Sequence, residues 1–241
     1  AASDVYKRQV AGRYSGKIKG WDVVNEAILD DGSYRENDFY KISADEYIFK
    51  SFEIAHKIDP NAELYYNDFS MYKPEKCDAA IRIANKILER GLRIDGIGLQ
   101  AHWGLDYPSI DEIETSILKI HEAGFRVHFT ELDIDVLPNL WEIEGADLSD
   151  NFKSNDQLNP YKSSLPDSIS DLLSNRYSEI FELFDKHNDK IDRVTFWGLS
   201  DGHSWKNDWP AKGRTNYPLL FDRENNPKKA YKDIMMLFNE K

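Results

Sequence analysis

Short apolar runs alternate with amphipathic stretches along the chain, and the alternation predicts a strand followed by a helix five times over. Residues 19–25 predict the first strand. Ser43 and Glu46, three apart at the head of a periodic run, predict a capping box that opens a helix to about Lys57, and Asp59-Pro60-Asn61 stops it. Residues 63–67 predict the second strand. A helix follows, started by Pro74 and ended by Gly91, with Ala80, Ile83, Ala84, Ile87 and Leu88 on one face. Residues 94–100 predict the third strand. Ser109 and Glu112 then form a second capping box, and Ile113, Ile117 and Ile120 mark the buried stripe of a helix closed by Gly124. The fourth strand is expected at 126–131 and the fifth at 193–198, with helices at 168–186 and 228–238. Between them, residues 133–167 are rich in Asn, Asp, Ser and Pro, show no period, and predict an extended loop. Residues 1–9 fit no element and read as a remnant.

Five strand-then-helix units in succession imply a parallel sheet with right-handed crossovers. The candidate chemistry gathers at the C-terminal ends of the strands: Glu26, Asn67, His102, Glu131 and the tryptophans after Gly198. That is where (β/α)8 barrels keep their active sites.

Composition narrows the function classes. Hydrophobic residues make up 41% and aromatics 13%, which suits a packed core with an aromatic-lined groove better than it suits a disordered segment. A formal charge of −12 repels a phosphate backbone, so nucleic acid is not an expected partner. Cys77 is the only cysteine, so neither an intrachain disulfide nor a thiol metal cluster can form, and a half-buried helical thiol is expected. His102, His128 and the acidic residues form no helical His pair at ligand spacing, so no metal or other cofactor is expected. No apolar run is long enough to span a membrane, and residues 1–13 lack the apolar core of a signal peptide.

Two segments carry the sharpest signal. Trp21-Asp22-Val23-Val24-Asn25-Glu26 and Thr130-Glu131-Leu132-Asp133 each end an apolar strand in a carboxylate, three units apart. Glycoside hydrolysis needs two carboxyl groups facing one sugar. These segments resemble the acid/base and nucleophile strands of glycoside hydrolase family 10, whose members are mostly endo-1,4-β-xylanases with a retaining, double-displacement mechanism. The resemblance implies that Glu26 is the general acid/base and Glu131 the nucleophile. It also implies that His102 bonds the nucleophile, with Asp133 orienting His102 if the strand's period of two continues past Glu131. Asn25 is expected on the sugar 2-hydroxyl, with Gln100 sharing that network and Asn67 lying toward the leaving group. Trp197 and Trp205 resemble the two tryptophans that close over the sugar, and Trp209 shares their polar loop. Phe69 stands where a tyrosine is common in the family, which removes a hydroxyl from the leaving-group side. Trp103, Trp141 and Tyr161 read as packed loop aromatics that could extend the groove.

The resemblance runs from about Gly16 to the C-terminus and matches strands four to eight of the family's (β/α)8 TIM barrel. The expected organisation is therefore a remnant at 1–15 and a partial catalytic domain, an incomplete barrel, at 16–241. The family's glycone-gripping Lys, His and Trp lie on the first three strands and have no counterparts here. Those strand-helix units, or an inserted carbohydrate-binding module, are expected upstream in the parent protein, and the chain alone is expected to be inactive or weak. The implied partner is xylan or a xylo-oligosaccharide, and the implied location is secreted, periplasmic or cell-surface. Two alternatives stay open: a clan-related barrel glycanase of cellulase type, and a non-catalytic carbohydrate-binding relative.

Overall fold

A computed structural model describes residues 2–138, 158–210 and 212–239. It divides into two compact units, the first comprising Ala1–Ala101, Asp111–Thr130 and Asp189–Val194, the second His102–Ile110, Glu131–Asn188 and Thr195–Lys241.

The first unit is a parallel sheet backed by helices. Its strands are β1 (Gly20–Asn25), β2 (Glu63–Asp68), β3 (Gly96–Leu99) and the first part of β5 (Arg126–Asp135), hydrogen-bonded in the order β1-β2-β3-β5. Every pairing is parallel, with Asn25 level with Asn67, Asn67 with Gly98, and Gly98 with His128. β2 buries five of its six residues, as expected of an inner parallel strand covered on both faces. The helices are α1 (Ala2–Tyr14), α2 (Asp38–Ser43), α3 (Glu46–Ile58), α4 (Pro74–Glu89) and α5 (Ile110–Glu122). α3 turns Ile48, Phe49, Phe52 and Ala55 into the core at helical spacing, and α4 does the same with Ala80, Ile83, Ala84 and Ile87. Gly91 and Gly124 close α4 and α5 at φ values of 70° and 90°. In each case the glycine N–H bonds back three residues and the next N–H bonds back five, so the last carbonyls of the helix are satisfied.

In the second unit a three-residue strand, β4 (His102–Gly104), pairs in parallel with the second part of β5, setting His102 level with Asp133 and Gly104 with Asp135. β6 (Ile191–Phe196) also pairs with β5 and passes from the first unit into the second after Val194. α6 (Asp167–Lys186) buries Leu173, Tyr177, Ile180 and Phe184 as one stripe, and it packs against α7 (Lys229–Asn239).

The parallel α/β architecture agrees with the strand-helix alternation. Five local expectations fail. Residues 2–14 form a helix where no element was expected; that helix carries no apolar stripe to read, and polar bonds tie it down. Lys7 donates to the Ser51 hydroxyl, and the buried Asp59 carboxylate accepts from the Ser15 hydroxyl, the Gly16 N–H and the Trp21 indole. The capping box at Ser43 does not form, because Asn37 caps a separate short helix that ends at Ser43, whose hydroxyl donates to the Phe39 carbonyl instead. Leu88 is half exposed, since it sits about 100° around α4 from the buried Ile87. The fourth predicted strand runs on to Asp135, and β4 adds a strand too short to show a period. Cys77 is more deeply buried than expected, and burial pushes its thiol up to about 11. Among the described residues no helix is long and apolar enough to cross a membrane.

His128 is buried on β5 with its ring 3.9 Å from that of Tyr65. Its Nδ1 lies 3.3 Å from the Arg193 guanidinium, while Nε2 makes no hydrogen bond and sits 3.8 Å from the Asp192 carboxylate. Burial, helped by the Arg193 charge, holds the imidazole down at about 4. Its neutral form therefore contributes stability that is complete above pH 6.5 and is lost as pH falls through about 4. Denaturant unfolding should show about 2 kcal/mol of this contribution lost between pH 7 and pH 5. The His128→Gln variant should lack that share of the slope; a variant with the parent's full pH dependence would contradict the assignment.

Candidate active site

In the first unit the end of β1 carries Asn25 and Glu26. Glu26 is a non-glycine residue at φ 56°, a left-handed conformation that costs on the order of 1–2 kcal/mol. Its backbone is held there from three sides. The Glu26 N–H donates to the Asn67 carbonyl at 3.0 Å, its carbonyl accepts from Arg35 Nε at 3.0 Å, and the following Ala27 N–H donates to the Tyr66 hydroxyl at 3.1 Å. The turn re-aims the carboxylate toward the end of β3. There Gln100 Nε2 donates to Glu26 Oε1 at 3.0 Å and to Asn25 Oδ1 at 3.2 Å.

Asn67, level with Asn25 on the neighbouring strand, donates its side-chain amide to the same Asn25 oxygen at 3.0 Å, and its Oδ1 accepts from the Thr130 hydroxyl at 2.7 Å. Asn67 and Gln100 are buried while the Asn25 side chain lies at the surface. One amide oxygen thus takes two donors, which leaves the Asn25 amide nitrogen turned toward Glu26 Oε1 at 3.4 Å. Behind β2, the Tyr66 hydroxyl donates to Asp68, and Asp68 pairs with Lys76 at 2.9 Å with both side chains fully buried. Burial raises the Asp68 carboxyl against the pull of Lys76. The Lys76 ammonium also lies 3.4 Å from the centre of the Phe69 ring, which fixes that ring at the strand end.

In the second unit the parallel register of β4 and β5 does the positioning. His102 sits level with Asp133, and the period of two keeps Glu131 on the same face of β5. The imidazole spans both carboxylates, with Nδ1 2.9 Å from Asp133 Oδ1 and Nε2 3.3 Å from Glu131 Oε2. Carboxylates only accept, so both contacts are satisfied as hydrogen bonds by the doubly protonated ring. Burial opposes that charge, but the Asp133 carboxylate and the two hydrogen bonds outweigh it and hold His102 above its ordinary value. Asp133 is fully buried. Burial pushes its carboxyl up, yet Lys206, His102 and the Trp205 indole together hold it below the usual carboxylate range.

Trp205 donates its indole N–H to Asp133 Oδ2 at 2.9 Å and sets its ring edge-on to His102 at 5.0 Å. It therefore belongs to the carboxylate-histidine array as well as to the aromatic set. Trp197 and Trp209 are half exposed, and neither is core. Trp103 is buried on β4 beside Phe184. Tyr161 is partly buried, its carbonyl accepting from the Tyr217 hydroxyl, and Trp141 lies outside the described residues.

Two participants left no mark in the sequence pattern: Arg35, which bonds the Glu26 carbonyl, and Lys206, which lies beside Asp133 and Asp135, stand at positions with no period or motif of their own. Thr130 opens the Thr-Glu-Leu-Asp motif, but its bond to Asn67 is not readable from it. Among the described residues, no group of three or more His, Cys, Asp or Glu side chains is arranged to hold a metal ion.

The model of glycosyl hydrolase family 10 matches residues 3–237 of this chain. The chain is 47% identical over 229 residues to endo-1,4-beta-xylanase A of Xylanibacter ruminicola, which takes in 95% of this chain and 62% of that protein. It is 38% identical over 227 residues to an endo-1,4-beta-xylanase of Geobacillus stearothermophilus, covering 92% of this chain and 63% of the relative. Among solved structures, a family 10 endoxylanase retrieved from a sugarcane soil metagenome matches with a TM-score of 0.90 at 44% identity, over 97% of this chain and 66% of that one. The chain thus spans less than two thirds of the length of each of these proteins.

Because the Asp133 charge is what lifts His102, replacing Asp133 with Asn should let the imidazole titrate at lower pH. Histidine NMR resonances followed against pH report this directly, and an unmoved midpoint would show that Asp133 does not control His102.

Proposed function

The chain belongs to glycosyl hydrolase family 10, and from that premise we propose that its parent protein is a retaining endo-1,4-β-xylanase acting on xylan and xylo-oligosaccharides outside the cytoplasm. The observation that carries the reading is Glu131, held at 3.3 Å by an imidazole that is itself held at 2.9 Å by the buried Asp133. A nucleophile must be oriented before substrate arrives, and an imidazole hydrogen-bonded to it serves that need. The names of the two relatives, both endo-1,4-beta-xylanases, support the same substrate.

In this reading Glu131 attacks the anomeric carbon while Glu26 gives its proton to the departing glycosidic oxygen. Glu131 is then esterified to the sugar. Water enters, Glu26 takes its proton, the ester bond breaks, and both carboxyls return to their starting states. The mechanism requires the two carboxyl groups about 5 to 5.5 Å apart in the working enzyme. Asn25 meets the sugar 2-hydroxyl with its amide nitrogen, since its oxygen already takes donors from Asn67 and Gln100. Trp197 and Trp205 lie over the sugar face, where flat C–H surfaces bury well against rings.

The activity is assigned to the whole parent protein. Family members are (β/α)8 barrels, and the remaining third of the relatives' length, three strand-helix units on this reading, would complete the barrel and supply the missing glycone contacts. Positioning at such sites contributes on the order of 7–11 kcal/mol in favourable cases. The isolated chain should therefore hydrolyse xylan far more slowly than the parent, and equal rates would contradict this.

Incubating the parent with a 2-fluoro xylobioside should leave covalent mass on Glu131. Its absence from a folded protein would favour a binding module. Glu26→Ala should lower kcat on xylan by roughly 10²–10⁴-fold. An aryl xylobioside should be cleaved well ahead of an aryl cellobioside, and the reverse order would favour a cellulase.

A further inference from the structure

Lys206 follows Trp205 on a short 3-10 turn, Trp205–Asn207, and its side chain is almost entirely buried, an unusual place for an ammonium group. The turn is pinned by its own bonds. The Ser204 hydroxyl accepts from the Lys206 N–H at 3.2 Å, Asn207 Nδ2 donates to the Asp201 carbonyl at 2.8 Å, and the Asn207 carbonyl accepts from the Arg214 N–H at 2.9 Å. From this fixed base the Lys206 ammonium lies 3.5 Å from Asp133 Oδ1, 3.6 Å from Asp135 Oδ2 and 5.1 Å from the centre of the Trp205 ring. Both carboxylate distances exceed a good hydrogen bond, so the interaction acts through charge and not through one directed proton.

We propose that Lys206 is a positioning residue that sets the charge balance of the His102–Glu131 pair by lying between Asp133 and Asp135. The proposal rests on the assignment of Glu131 as nucleophile only for its kinetic consequence.

The argument is a count of charges in a poorly solvated place. β5 brings Glu131, Asp133 and Asp135 onto one strand at alternate positions. Lys206 places one positive charge within 4 Å of two of these carboxylates, and His102 adds a second when it is protonated. Without Lys206 the carboxylates would draw a proton onto His102 more strongly and over a wider pH range. Lys206 opposes that charge on His102 and favours the ionised form of Asp133, so it acts on both members of the hydrogen-bonded pair. The surrounding elements contribute Tyr177 from α6, whose phenol is raised by burial and the Asp133 charge, and Arg214, lowered by burial against the pull of Asp135. Arg214 spends its donors on the carbonyls of Leu158 and Pro138, and the Tyr177 hydroxyl donates to the Pro218 carbonyl. Lys206 is thus the cation whose nearest partners are these two carboxylates.

The test follows His102 by NMR in the parent protein, its resonance assigned by loss in His102→Gln. Lys206→Met should move the His102 midpoint to higher pH, and Lys206→Arg should hold it near the parent value. Asp135→Asn, which keeps an acceptor for Asn216 Nδ2 and the Leu137 N–H, should move it to lower pH and serves if the Met variant does not fold. On xylan, Lys206→Met should shift the alkaline limb of the kcat profile upward with little change in KM. Coincident His102 midpoints in the parent and Lys206→Met, or in the parent and Asp135→Asn, would overturn the proposal. The NMR midpoints do not depend on hydrolysis, so they separate a failure of this proposal from a failure of the xylanase reading.

Discussion

An imidazole suspended between two carboxylates on one strand face is the constraint from which the chemistry of this chain follows. Residues two apart on a strand share a face, and that alone brings Glu131 and Asp133 to the same side. The parallel register then sets His102 level with Asp133. Had β4 paired one residue out of step, its side chains would alternate the other way and His102 would face away from both acids. The contacts at 2.9 and 3.3 Å are therefore consequences of strand pairing and not of a chance loop conformation. They also explain why Asp133, with no exposed surface, remains a carboxylate: it accepts from His102 and Trp205 and lies beside Lys206.

The second carboxylate is held by a different device. Glu26 occupies a left-handed backbone state that a glycine would adopt without strain, and Asn67, Arg35 and Tyr66 supply the bonds that keep it there. Strain of this kind persists where surrounding structure over-determines it, and it aims a side chain that regular strand geometry would send elsewhere. The amide chain from Thr130 through Asn67 to Asn25, with Gln100 joining at Asn25 and Glu26, restrains the Asn25, Asn67 and Gln100 amides in the structure as it stands. Preorganisation of this sort is what distinguishes a site that stabilises a transition state from one that only binds.

What the sequence disclosed, it disclosed through periodicity and through short motifs. Central strands read as apolar runs, α4 and α5 announced themselves by stripe, and glycines at 91 and 124 marked where each stopped, because only those features leave a regular imprint. Asn25, Asn67, Gln100 and His102 could be singled out because each lies at or just beyond the end of β1, β2 or β3, and Glu131 and Asp133 because they stand in a short motif, although the structure carries β5 on past both to Asp135. The helix over 2–14 was not, since it is secured by Lys7, Ser15 and Asp59 through polar bonds that have no period. Ser43 misled because a capping box is a local pattern, and Asn37 had already begun a helix that consumed it. Lys206 was invisible for the most general reason: a single buried charge is meaningful only once its partners, 71 and 73 positions earlier in sequence, are known in space.

The central claim of the proposed function is that Glu131 forms a bond to the sugar and that water later displaces it from the opposite face, the side from which the leaving group departed. The stereochemistry of the first product measures that most directly. Proton NMR of xylo-oligosaccharide freshly cleaved by the parent protein should show the β-anomer first, with the α-anomer growing in only as mutarotation proceeds. The α-anomer appearing first would mean a single displacement by water, and the role given to Glu131 would be wrong.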